Sequence, residues 1–141
     1  MARPWILGDR HGVPAVQNKA IDALHLALSE SWSQVPHFVD LVWPQTVAGA
    51  QLRVFFVEWM SLAYAKEAPH GKETNGEFLR ELCTRLYRRA WDAQPIWGQE
   101  AWKSLDLCKF HLHNTVDCTG KPLFEDEIAA VEAGYNNDQA K

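Results

Sequence analysis

Val47-Ala-Gly-Ala-Gln-Leu-Arg-Val-Phe-Phe-Val-Glu-Trp-Met-Ser-Leu-Ala-Tyr-Ala-Lys66 is the stretch on which the fold turns. Leu52, Phe55, Phe56, Trp59, Leu62 and Ala63 recur every three or four positions, which places them on one face of a helix. Val54, Val57, Met60 and Tyr64 fill much of the opposite face. A helix apolar nearly all round belongs at the centre of a helical domain or on one face of an oligomer, so the 47–66 helix also offers a surface for a homodimer. Glu58 interrupts the run, which falls short of the ~20 apolar residues a bilayer span needs, and no membrane insertion is expected.

Towards the N-terminus, Pro14 suits the first turn of a helix reaching about Trp32, with Ala20, Ile21, Leu24, Ala27 and Leu28 on one side. Asp22, His25 and Ser29 face the other way. Pro4, Gly8, Gly12 and Pro14 predict a turn-rich entry before it. Phe38 to Trp43 lies between two prolines and reads as a short helix or loop. Towards the C-terminus, Thr74-Asn-Gly-Glu77 matches a capping box opening a helix whose stripe is Leu79, Leu82, Cys83, Leu86 and Ala90. Gln94-Pro95 ends it, and a further helix from Trp97-Gly98 carries Ala101, Leu105, Cys108 and Leu112 on its buried side. A turn at 118–122 precedes a last helix, about Leu123 to Ala133, with acids in its first turn and Gly134 as its stop. This pattern predicts an all-α chain: a compact bundle of about five helices with a turn-rich N-terminal segment. It forms one domain over residues 1–135, and 136–141 is a frayed tail.

Of the 141 residues, 47% are hydrophobic and 23% charged, a balance suited to an ordered core without covalent staples. The net charge of −4 resides wholly in residues 117–141, where six acids face two lysines. The rest is balanced, so no global field draws the chain to nucleic acid or an anionic membrane. Three cysteines make no disulfide framework, and Met-Ala-Arg-Pro-Trp lacks the apolar run of a leader, which predicts a cytoplasmic protein.

Gly8-Asp9-Arg10-His11-Gly12 resembles the first metal-binding motif of the metallophosphoesterases, but the later Gly-Asp and Gly-Asn-His segments of that family do not occur. The reading is a Gly-flanked turn in which Asp9 bonds local amides. Pro69-His70-Gly71-Lys72 lacks the glycine spacing of a phosphate-binding loop, and there is no Gly-x-Ser-x-Gly elbow. Cys83 on an apolar stripe would be a protonated, inert thiol. A catalytic role is not expected.

Two constellations remain. Cys108, His111, His113 and Cys118 offer the thiolates and imidazoles that Zn²⁺ prefers, and a tetrahedral site could take Cys108, His111 or His113, Cys118 and one distant group such as Cys83 or His70. Because Cys108 falls on the stripe of Ala101, Leu105 and Leu112, packing is the favoured reading and no cofactor is expected; a zinc-stabilised or metal-dependent domain is the second alternative. Arg85, Arg88 and Arg89 are followed by Trp91, Trp97 and Trp102, which mixes cations with flat rings. Glu81 before Arg85 and Arg88 before Asp92 also suit ordinary pairing along a helix. Arginine and tryptophan are enriched at protein docking sites, and the same mixture suits single-stranded nucleic acid. The expectation is a small intracellular regulatory or adaptor protein that binds a partner protein through these residues, with a nucleic-acid-binding accessory role as the first alternative. Trp102, one position past Ala101, is expected at the edge of the buried face.

Overall fold

A computed structural model describes residues 2–32, 37–63, 75–91, 98–113 and 118. The fold is all-α, and no strand occurs among these residues. The order is α1 (Ala2–Arg10), α2 (Pro14–Ser31), α3 (His37–Val42), α4 (Gln51–Ala63), α5 (Gly76–Ala90) and α6 (Gln99–Lys103), with 3₁₀ turns at Trp43–Gln45 and Leu107–Phe110. No helix among the described residues is long and apolar enough to cross a membrane. The predicted helix at 123–133 and the tail lie outside the described residues.

The central position of α4 follows from its composition. Of the eleven consecutive residues 52–62, all but Val54 serve the interior: Leu52, Arg53 and all of Phe55 to Leu62 are buried. Phe55 meets Phe56, Trp102 and Phe110 edge-on at ring separations of 5.1–5.6 Å. Edge-to-face packing of this kind adds to the area term that drives burial. The described part of the helix therefore gives most of its apolar surface to its own chain, and among the described residues of 47–66 the large exposed hydrophobics are Val47 and Val54.

The turn-rich N-terminal segment is corrected: residues 2–10 form a helix with Ala2, Trp5 and Ile6 buried. Pro4 stands in the first turn, where its missing N–H has no intrahelical role. Gly8 keeps α1 against α2, since a Cβ there would meet Gln17 Cγ at 2.9 Å. Gly12, with φ +62°, then provides the left-handed step into α2. Asp9 is in α1 and accepts from Gln17 Nε2 at 3.2 Å, so the motif-like Gly8 to Gly12 segment is a helix end.

Two further boundaries and one exposure differ. The cap of α5 is Asn75, whose Oδ1 accepts from Phe78 N at 3.0 Å, one residue later than the predicted box. Cys83 is exposed, not part of the buried stripe. The helix expected through Leu112 stops at Lys103, because Asp106 turns extended (φ −72°, ψ 110°) and its side chain accepts from Cys108 N at 2.9 Å. Local Asx bonding of this type competes directly with helix continuation. Cys108 thus belongs to a half-buried 3₁₀ turn and not to a buried helical stripe.

Candidate functional site

The arginines and tryptophans predicted to share one surface are divided between two sides of α5. Arg85 Nη2 and Arg89 Nη2 reach Glu58 Oε1 at 3.0 and 2.6 Å, and Lys109 Nζ lies 3.6 Å from the same oxygen. Burial pushes the Glu58 carboxyl up, but the Arg85 hydrogen bond and the charges of Lys109, Arg85 and Arg89 outweigh it and hold the pKa below the usual 4.5. Glu81 pairs with Arg53 of α4 at 3.5 Å, not with Arg85. Trp102 is a core residue: it is 0% exposed and packs on His25 and Phe55. It is therefore not at the rim of the buried face: within the five-residue α6, Glu100 and Lys103 are exposed and Trp102 turns inward between α2 and α4. Trp97 lies outside the described residues.

Arg88 and Trp91 remain outside, and Tyr87 joins them. Tyr87 is 65% and Trp91 73% exposed, with ring centroids 5.8 Å apart. Sequence reasoning passed over Tyr87, although Tyr87 and Trp91 stand four residues apart and face each other on a helix end. Arg80, Thr84 and Arg88 continue the same face, again at intervals of four. They line one wall of a groove of about 440 Å³ whose apolar floor is Val54 and Val57 of α4. The side chain of Arg88 forms no ion pair or hydrogen bond with another described residue.

The second constellation is brought together. Cys108 Sγ lies 3.3 Å from His113 Nε2, and Cys118 Sγ lies 3.6 Å from that nitrogen. One donor atom each from Cys108, His113 and Cys118 fall within 4.8 Å of one another. His111 Nδ1 stands 2.9 Å from Cys118 Sγ. Of the two distant ligands named for this cluster, Cys83 is on α5 and outside it, and His70 lies outside the described residues.

What positions the two histidines is α2. Asn18 clamps the backbone between them, donating from Nδ2 to Leu112 O at 3.1 Å and accepting from Leu112 N at 2.8 Å. Asp22, one turn on, holds His111 Nε2 at 2.9 Å. Further along the same face, His25 Nε2 contacts Trp102 O at 2.8 Å and Gln99 Nε2 donates to Ser29 O at 2.8 Å. The polar side of α2 therefore docks residues 99–113. Asn18 and Asp22 were not singled out by the sequence, because their partners are 94 and 89 positions away.

Comparison with protein-family models, with curated proteins and with solved structures gives no match to this chain.

Proposed function

We propose that the chain is a small intracellular regulatory or adaptor protein that docks a partner protein on the outer face of α5, through Tyr87, Arg88 and Trp91. The exposed Tyr87–Trp91 pair carries this reading. Two large rings held in water by a helix end give up apolar hydration when covered, and both are stiff enough to lose little entropy on contact. The adjoining groove, with its valine floor and the cations of Arg80 and Arg88, suits a partner segment that combines apolar and acidic side chains. Nucleic acid is less well served: Arg85 and Arg89 are engaged by Glu58, and the two aromatic rings lie against each other instead of standing apart for bases.

A photo-reactive phenylalanine analogue installed at position 91 tests the reading in the native host. It is expected to yield a protein adduct that survives nuclease, while the same analogue at Leu26, also well exposed on α2, does not. An adduct abolished by nuclease, or none at position 91, overturns it.

A further inference from the structure

The cluster at residues 108–118 has no part in the docking surface, and its geometry asks for an occupant. We infer that Cys108, His111, His113 and Cys118 bind one Zn²⁺ ion as a closed structural site, with Asp22 orienting His111. At tetrahedral angles, Zn–S of about 2.3 Å and Zn–N of about 2.05 Å imply an S···N edge of about 3.5 Å. His113 Nε2 meets the two sulfurs at 3.3 and 3.6 Å, which matches that edge on both sides. His111 Nδ1 touches Cys118 Sγ at 2.9 Å but stands outside the 4.8 Å group formed by the other three donors, so its ring must turn inward to supply the fourth corner.

Three surrounding contacts fit the same occupant. Asp22 accepts from His111 Nε2, which leaves the Nδ1 lone pair directed at the cluster; a carboxylate behind a ligating imidazole fixes its tautomer and ring orientation. Cys118 N donates to Cys108 Sγ at 3.5 Å, which brings residue 118 against the first sulfur. The Asn18 clamp on Leu112 holds both imidazoles in register with the cysteines before any ion arrives. One contact competes: His113 Nε2 is also 3.1 Å from Cys108 O, so the metal-free ring donates there and binding selects the other tautomer. With two thiolates and two imidazoles the coordination sphere is full, and no position is left for water or substrate. Zinc here joins residue 118 to the 3₁₀ turn and, through Asp22, to α2.

The full chain, purified without added metal and dialysed against a weak chelator, is expected to retain about one zinc per chain by elemental analysis. A Cys108→Ser/Cys118→Ser double variant loses it. Asp22→Asn keeps the site but weakens zinc about 10–100-fold in competition with a chromophoric chelator. Co²⁺ titrated into the metal-free wild-type chain should give the strong visible bands of a tetrahedral ion together with sulfur-to-metal charge transfer, a readout that stands even where the double variant does not fold. Absence of zinc and of these cobalt bands, or zinc retained undiminished by a folded double variant, overturns the inference.

Discussion

At the residue scale the tryptophans separate into opposite kinds, and this sets the first prediction. Trp102 fills a closed space between α2 and α4 with its indole Nε1 3.4 Å from His25 O, so truncation leaves a cavity. Trp102→Ala is expected to cost about 3–5 kcal/mol by denaturant unfolding. Trp91→Ala removes a ring that water already covers and should change stability by less than about 0.5 kcal/mol. An equal loss in both variants would mean that Trp91 is also structural and that the docking face is misassigned. The difference was not legible beforehand, because a side chain's position on a helix face can be inferred only where the helix persists. The stripe from Ala101 to Leu112 assumed a helix that Asp106 ends, and both Trp102 and Cys108 were placed by that assumption.

At the scale of elements, local periodicity located α2, α4 and α5 well, since the spacing that makes a helix amphipathic is written in adjacent residues. Pro4 and Gly8 misled at α1, where tertiary packing against Gln17 overrides local preference. The polar face of α2 misled in a different way: Asp22, His25 and Ser29 look solvated, yet with Asn18 they receive residues 99–113. The second prediction belongs here. Asn18→Ala leaves the Leu112 N–H and C=O without their partner and should destabilise the chain by about 1–3 kcal/mol. Amide hydrogen exchange should rise first at 107–113, while α4 and α5 keep their protection. Uniform loss of protection throughout would show that α2 does not hold this segment separately.

On the scale of the whole molecule, one carboxylate links three elements. Glu58 of α4 faces Arg85 and Arg89 of α5 and Lys109 of the second 3₁₀ turn, next to Cys108. Glu58→Ala withdraws the carboxylate that all three cations share in a buried network and is expected to cost about 3 kcal/mol. The pH dependence has a definite sign. Because the folded pKa lies below the usual 4.5, the folded chain binds fewer protons than the unfolded one in this range. The contribution of Glu58 is therefore complete above the unfolded value and declines as pH falls through the lowered folded value. Urea midpoints measured at pH 7 and near pH 4 should show a larger acid-induced loss in the wild-type chain than in Glu58→Gln, which carries no proton-dependent charge. If the two lose stability in parallel, the acid sensitivity arises at other carboxylates, and Glu58 does not act as the electrostatic link between the bundle and the 108–118 segment.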